Sequence, residues 1–176
     1  MKLKLFFAGS GGQGTLAIGQ MIAKAAMDEG KEVTWLPSYG PEMRGGTASC
    51  GIIVSDGAVG SPIVAKPDIL VAMNLPSLDR YEDAVKQGGM IFYDSSLIER
   101  PLRRTDVKAY AVPATRLAGE NGFPTLGNMI LVGKILAALG EYTDEGINAA
   151  LAKVISAKRA DMLEVNRKAL ELGANY

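Results

Sequence analysis

The chain has 176 residues, with 19 basic and 19 acidic side chains, one cysteine and no histidine. The zero formal net charge argues against a general nucleic-acid-binding surface, which requires a basic surplus. With no histidine and Cys50 as its only thiol, the chain lacks a histidine general base and the ligands for a zinc site or an iron–sulfur cluster, so any redox centre must come from a bound cofactor or a partner chain.

The N-terminal segment predicts a strand, a glycine loop and a helix in succession. Residues 3–8 form a mostly apolar run that is typical of a strand buried on both faces. Apolar side chains then recur at helical spacing over residues 15–29, and a second strand follows at 32–36. The apolar run passes directly into glycines, which indicates a buried strand and not a signal peptide, so a cytoplasmic location is expected. The longest mostly apolar stretch, residues 129–139, is too short to span a bilayer.

The rest of the chain continues the alternation of strands and helices. Further strands are predicted at 47–55, 59–64 (as a partner of the preceding strand, interrupted by Pro62), 69–73, 90–93 and 107–112. Further helices are predicted at 77–86, 114–121, 129–139, from Thr143 onwards, and at 159–172 with Gly173 as the cap. Gly133 and Ala137 lie one turn apart and allow a close backbone approach. The pattern predicts one α/β domain over residues 1–176, with a Rossmann-like, doubly wound, mostly parallel sheet and helices on both faces.

The glycine loop between the first strand and the first helix is the first candidate binding element. It reads Gly9-Ser10-Gly11-Gly12-Gln13-Gly14 and fits G-x-G-x-x-G at the position where that pattern binds phosphates. Glycines allow a sharp turn and the close approach of an anion, and the helix N-terminus offers free N–H groups. The alternative is a tight turn that only lets the helix and the strand pack closely.

The end of the second strand bears on which cofactor this loop accepts. Dinucleotide-binding folds usually carry an acidic residue there, which binds the ribose hydroxyls. Here the strand end reads Trp35-Leu36-Pro37-Ser38, and the nearest acid, Glu32, lies at the start of the strand. The sequence therefore disfavours a nicotinamide dinucleotide.

A second glycine-containing loop, residues 38–46, follows the second strand and is expected at the same edge of the sheet as the first loop. Arg44 is a planar donor suited to a carboxylate or a phosphate. Gly45 and Gly46 leave room for a ligand or a neighbouring backbone, and Tyr39 supplies an apolar contact. The alternative is a surface turn in which Arg44 pairs with an acid of its own loop.

Three further residues have simpler interpretations. Asp94 follows a predicted strand and Asn128 opens a predicted buried helix, and both positions are typical of caps and turns. Cys50 alternates with apolar residues along a strand and is interpreted as a small core residue.

In chain order, the motifs resemble those of the gamma subunit of 2-oxoacid:ferredoxin oxidoreductases. The resemblance covers essentially the whole chain and rests on G-S-G-G-Q-G, S-Y-G-P-E-M-R-G-G-T-A, K-P-D-I-L-V-A-M-N, G-G-M-I-F-Y-D-S-S, L-G-N-M-I-L-V-G and V-N-R-K-A-L-E-L-G. The first two motifs are specific as a pair, whereas either alone is not. The family acts on pyruvate, 2-oxoglutarate, branched-chain 2-oxoacids or indolepyruvate, and the length is similar to that of free-standing gamma chains of the 2-oxoglutarate and branched-chain types.

The resemblance implies a subunit of an EC 1.2.7-type oxidoreductase that is inactive alone. The family reaction converts a 2-oxoacid and coenzyme A to an acyl-CoA and carbon dioxide and reduces ferredoxin. Thiamine diphosphate, iron–sulfur clusters and coenzyme A are then expected mainly on alpha and beta partner subunits, with a delta subunit in complexes of four chains. This chain would supply no catalytic residue and no metal ligand. Cofactor contacts are carried over to Gly9, Gly11, Gly12, Gln13, Gly14, Tyr39, Glu42, Arg44, Gly45, Gly46 and Asn128.

Two alternatives to this function stay open at the level of sequence. The first is a stand-alone nucleotide-binding or regulatory module that uses the loop from Gly9 to Gly14. The second is a purely structural subunit without any ligand contact. The missing acid at the end of the second strand and the length of the second glycine loop favour the oxidoreductase subunit.

Overall fold

The computed structural model describes residues 1–39, 46–141 and 143–176, which form a six-stranded sheet in the order β2-β3-β1-β4-β5-β6 with flanking helices. The strands are β1 (Lys2–Ser10), β2 (Glu32–Tyr39), β3 (Thr47–Ser55), β4 (Ile69–Ala72), β5 (Met90–Asp94) and β6 (Lys108–Val112). The helices are α1 (Thr15–Asp28), α2 (Leu75–Tyr81), α3 (Ala114–Glu120), α4 (Gly127–Leu139), α5 (Asp144–Val154) and α6 (Ala160–Ala174). Short 3₁₀ turns lie at Glu82–Ala84 and Ala157–Arg159.

The sheet is mixed, because β3 runs antiparallel to both of its neighbours, β1 and β2. The pairs β1–β4, β4–β5 and β5–β6 are parallel. β1 and β2, which α1 connects, point in the same direction but are separated by β3. The prediction of a mostly parallel α/β sheet is therefore confirmed, with one antiparallel strand inserted beside its central strand.

The predicted strand at 59–64 is wrong. Residues 59–64 form no strand, because both edges of β3 are already paired with β1 and β2. The segment lies against the sheet instead, where Val64 Cγ2 is 3.0 Å from the position of a Cβ built on Gly51. Pro62, which lacks a backbone N–H, would also have interrupted the ladder.

The main hydrophobic core lies between one face of the sheet and the helices α1, α3, α4, α5 and α6. Phe7, Ile52 and Phe92 are fully buried in it. The opposite face packs on α2, around Leu70 and Leu78. Helices on both faces are thus confirmed, with most of the helical mass on one side.

α4 and α6 cross with their backbones in contact. A Cβ on Gly133 would collide with the carbonyl oxygen of Leu170, and a Cβ on Gly173 would collide with that of Ile130. The close approach predicted at Gly133 is confirmed. The prediction of Gly173 as a helix cap is wrong, because α6 continues to Ala174 and Gly173 is buried in the crossing.

One fully buried carboxylate fastens the segment between β5 and β6 to the turn after α2. Glu82 accepts hydrogen bonds from Nη2 of Arg100 at 2.7 Å and from the backbone N–H groups of Arg103 and Arg104 at 2.5 and 3.2 Å. Burial alone would raise the pKa of Glu82, but the hydrogen bonds from Arg100 and from the two backbone N–H groups outweigh it and hold the pKa below its ordinary value.

Among the helices of the described residues, none combines the length and the apolar character needed to cross a membrane.

Candidate functional site

The two glycine segments meet at the carboxyl ends of β1 and β2. The N–H of Gly11 donates to the carbonyl oxygen of Gly46 at 2.9 Å. Ser10, the last residue of β1, pairs with the first residue of β3, and Tyr39, the last residue of β2, pairs with the second. The prediction that both segments share one edge of the sheet is therefore confirmed for the described residues. Three of the predicted contact residues, Glu42, Arg44 and Gly45, lie outside them.

A cleft of about 330 Å³ opens between the glycine loop, the first turn of α1 and the start of β3. Its described lining consists of Ser10, Gly11, Gly12, Gly14, Thr15, Leu16, Ala17, Tyr39, Gly46, Thr47 and Ala48. No side chain in this described lining is charged. Backbone groups and small, hydroxyl-bearing or apolar side chains thus form the described part of its wall.

The shape of the glycine loop depends on backbone conformations that only glycine adopts readily. Gly12 and Gly14 have φ values of +91° and +73°. At Gly9, a Cβ would lie 2.6 Å from Oγ1 of Thr15 and 2.7 Å from Oε1 of Gln13. These glycines let the chain turn from β1 into α1 within a few residues and bring the start of α1 to the sheet edge.

The N-terminus of α1 has no capping side chain. Gly14 occupies the N-cap position and no acidic residue lies in the first turn. The first N–H groups of a helix have no partner within it, and the helix dipole makes this end partially positive. Because Leu16 and Ala17 of this turn line the cleft, the arrangement favours an anionic group there.

Two predicted contact residues lie beside the loop in different ways. The side chain of Gln13 is turned into the protein, where Oε1 accepts from the N–H of Ser10 at 2.7 Å and Nε2 donates to the carbonyl oxygen of Met73 at 3.0 Å. Asn128, in the first turn of α4, places Nδ2 directly against Gly14. The fold thus brings Asn128, distant in sequence, to the start of α1.

Asp94 and Cys50 have the structural roles that the sequence predicts. Asp94 is buried and accepts from the N–H of Ser96 at 3.0 Å and from the N–H of Thr115, at the start of α3, at 3.1 Å. Cys50 is fully buried in the core, and burial raises the pKa of its thiol to about 11. A thiol held neutral in this way, in a chain without histidine, does not fit an iron–sulfur cluster.

The geometry of the sheet also argues against a dinucleotide at the glycine loop. In dinucleotide-binding folds the second strand lies next to the first and carries an acid that reaches the ribose. Here β3 separates β1 from β2, and β2 ends in Tyr39.

Sequence reasoning missed two parts of the site. Thr47 and Ala48 line the cleft because β3 is inserted beside β1, and no local pattern indicates that insertion. Met73 supports the loop because its carbonyl oxygen accepts a hydrogen bond from Gln13, which lies 60 residues away in the chain. The sequence contains one signal for this contact. The apolar strand predicted at 69–73 ends at Met73, which places Met73 at the same edge of the sheet as the glycine loop.

Comparison with known proteins identifies the family of this open α/β sheet with a glycine loop. The family model for pyruvate ferredoxin/flavodoxin oxidoreductases matches residues 4–176. The chain belongs to this family. Ketoisovalerate oxidoreductase subunit VorA of Methanothermobacter thermautotrophicus is 40% identical over 176 residues, which are 99% of this chain and 36% of that protein. The chain thus spans about a third of the length of that relative.

Two other relatives are close to this chain in length, and a third, of known structure, is much longer. 2-Oxoglutarate synthase subunit KorC of Methanocaldococcus jannaschii is 32% identical over 86% of this chain and 82% of its own. The gamma subunit of the keto/oxoacid ferredoxin oxidoreductase of Geobacter sulfurreducens superposes with a TM-score of 0.82 at 29% identity, over 98% of this chain and 96% of that one. The 2-oxoglutarate:ferredoxin oxidoreductase of Magnetococcus marinus, solved with 2-oxoglutarate, coenzyme A and succinyl-CoA bound, gives 0.88 at 25% identity, over 99% of this chain and 30% of that one.

Proposed function

We propose that this chain is the gamma subunit of a 2-oxoacid:ferredoxin oxidoreductase that depends on thiamine diphosphate and coenzyme A. The complex would convert a 2-oxoacid, such as 2-oxoglutarate or a branched-chain acid, and coenzyme A to an acyl-CoA and carbon dioxide, with the electrons passing to ferredoxin. It would act in the cytoplasm with alpha and beta subunits, and with a delta subunit if four chains are present. The family match over nearly the whole chain supports this proposal.

The observation that carries the proposed role is the cleft at the glycine loop, which is lined by the uncapped first turn of α1. Coenzyme A is a polyanion, and an uncapped helix N-terminus beside a glycine turn provides N–H groups and positive potential for one of its anionic groups. The N–H groups of Gly12 and of the first turn of α1 would hold that group, and Asn128 would supply a further N–H donor. Gly11, whose own N–H is bonded to Gly46, would line the site. Tyr39, which is 57% exposed at the rim, would contact an apolar part of the ligand.

The remaining chemistry is assigned to partner subunits. Thiamine diphosphate, when bound in the complex, supplies the carbanion chemistry that decarboxylates a 2-oxoacid. Iron–sulfur clusters require thiolates that this chain does not offer. Residues of this chain would bind and orient a ligand at the junction with the alpha and beta subunits, and none of them is assigned a proton transfer.

The proposal is tested by purifying the tagged chain from its own host without oxygen. We expect larger chains that contain iron and thiamine diphosphate to co-elute, together with 2-oxoacid- and coenzyme-A-dependent reduction of a viologen dye. A panel of 2-oxoacids then identifies the substrate. A single chain without activity that an added nucleotide stabilises would instead support the stand-alone binding module, which the family match does not favour.

Arg44 provides a sharper test of ligand contact. Its position in the second glycine loop, between Tyr39 and Gly46, leads us to expect that Arg44→Ala raises the KM for coenzyme A about tenfold in the assembled enzyme, through loss of a charge-assisted hydrogen bond. Lys158→Ala, which also removes an exposed basic side chain, serves as the control and should leave the KM unchanged. Weakened assembly with an unchanged KM would favour the purely structural subunit.

A further inference from the structure

The side chain of Gln13 joins two adjacent strands at their carboxyl ends. Its Oε1 accepts from the N–H of Ser10, the last residue of β1, and its Nε2 donates to the carbonyl oxygen of Met73, the residue after β4. One neutral amide therefore supplies an acceptor to one strand end and a donor to the other. A carboxylate would lack the donor, and an aliphatic side chain would lack both groups.

The space that Gln13 fills is where open α/β sheets usually receive their ligands. α1 follows β1 on one face of the sheet and α2 follows β4 on the other, so the connections change sides between these two strands. Thr15, 2% exposed, lies in the same place and its hydroxyl donates to Sδ of Met73 at 3.5 Å. At this switch point the half-buried side chain of Gln13 and the hydroxyl of Thr15 therefore both bond to Met73.

The open side of the glycine loop faces the other way. The cleft lies on the β3 side, and there the N–H of Gly11 donates to the carbonyl oxygen of Gly46. The loop is thus fastened on both sides, by Gln13 to the end of β4 and by Gly11 to the residue before β3. Gly12, between these two attachments, lines the cleft.

We propose that Gln13 is a positioning residue, whose amide closes the crevice between β1 and β4 and holds Gly11 and Gly12 toward the cleft on the β3 side. The anionic group of the ligand then approaches the loop from the side of the cleft that β3 forms. Gln13 does not contact this group and affects its binding only through the loop. This inference rests on the proposed function. It assigns the coenzyme A contact to the backbone of the loop and not to the Gln13 side chain.

The test uses Gln13→Glu in the assembled enzyme, because this change keeps the acceptor for Ser10 and removes the donor to Met73. We expect the KM for coenzyme A to rise about tenfold while kcat stays within about twofold. Gln87→Glu makes the same change on an exposed side chain and should keep the KM and kcat of the wild type.

The results separate the positioning role from its alternatives. An unchanged KM, or a fall in kcat without a change in KM, would overturn the proposal. If Gln13→Glu does not assemble, Gln13→Met, which is neutral and of similar length and also lacks the donor to Met73, should show the same rise in KM.

Hydrogen exchange on the wild-type complex tests the same contact and does not depend on whether a variant folds. Hydrogen exchange of the Ser10 N–H should be slow because Oε1 of Gln13 accepts its hydrogen bond, and fast exchange would overturn the proposed attachment. If the complex shows no coenzyme-A-dependent activity, the proposed function fails, while the exchange of Ser10 still tests the geometry of Gln13.

Discussion

At Gly14 two independent constraints act on one residue. Its φ of +73° lies in the left-handed region, and a Cβ there would press on Nδ2 of Asn128. We expect Gly14→Ala to lower the free energy of unfolding by about 2 kcal/mol, as the left-handed conformation alone costs about 1 kcal/mol. Urea denaturation measures the difference.

Gly30 is the matched control for this prediction. It has a similar φ of +77° with open space around the position of a Cβ. Gly30→Ala should therefore cost only the conformational part, about 1 kcal/mol. Equal losses of unfolding free energy in the two variants would show that the Asn128 side chain moves aside without cost and does not support the loop.

Glu82 predicts the response of the protein to acid. Its pKa in the folded state lies below the ordinary value of 4.5, so the stability that it contributes is complete above about pH 4.5 and is lost as the pH falls through the folded pKa. Glu82→Gln should lower the free energy of unfolding at pH 7 by about 2–3 kcal/mol, since it weakens a buried charge network. The same variant should lose less stability than the wild type between pH 4.5 and about pH 3.

The control for Glu82 is Glu99→Gln, which changes an exposed carboxylate on the segment between β5 and β6. The urea midpoints of Glu99→Gln, recorded across this pH range, should change with pH in the same way as those of the wild type. A Glu82→Gln variant with the acid response of the wild type would show that other carboxylates control acid unfolding.

Single residues also show how far sequence reasoning reaches. Gly9, Gly12 and Gly14 could be placed in a tight strand-to-helix turn because glycine spacing is a local signal. The direction of the Gln13 side chain could not be predicted from the sequence, because only the pairing of β1 with β4 brings its partner Met73 near. The predicted contacts of these residues with a cofactor stay predictions.

At the scale of the element, the crossing of α4 and α6 is the most sensitive to substitution. Gly133→Ala or Gly173→Ala would place a methyl group against a backbone carbonyl that belongs to a fully packed helix. Each change should lower the free energy of unfolding by about 2–4 kcal/mol, because the helices must separate to accommodate it. Thermal or urea denaturation of the two variants checks the prediction.

A third helical glycine separates packing from helix propensity. Gly119 lies in α3 with open space around its Cβ position. Gly119→Ala should be neutral or should stabilise the protein by up to about 1 kcal/mol, the difference in intrinsic propensity. Destabilisation by all three substitutions to a similar extent would contradict the interpretation of the crossing.

The bounds of most elements could be predicted, whereas their partners could not. β3 was predicted over the residues that it occupies, since an apolar run followed by Asp56-Gly57 is a local pattern. Its antiparallel position between β1 and β2 depends on pairing between residues that are far apart in the sequence. The local periodicity of apolar residues carries no information about such pairing. The predicted strand at 59–64 and the predicted cap at Gly173 failed for this same reason. Both edges of β3 were already paired, and Gly173 packs against α4, which is distant from it in sequence.

At the scale of the whole molecule, Cys50 reports on cooperative unfolding. It is fully buried and its thiol pKa is raised to about 11, so a thiol reagent should modify the folded protein on the order of a thousandfold more slowly than the unfolded chain. If residues 1–176 are one domain, as we propose, the labelling of Cys50 and the loss of helical circular dichroism should share one urea midpoint. Two separate midpoints would indicate two units.

The inserted strand β3 also bears on the order in which the chain assembles. β1, β2 and β3 come from the first 55 residues and include the two antiparallel pairings, whereas β4 to β6 join only through parallel crossovers. Contacts between near neighbours in the chain cost less loop-closure entropy and form earlier. We therefore expect the N-terminal three strands with α1 to nucleate folding. The floor of the cleft would then exist before the Met73 end of β4 arrives to fasten the glycine loop.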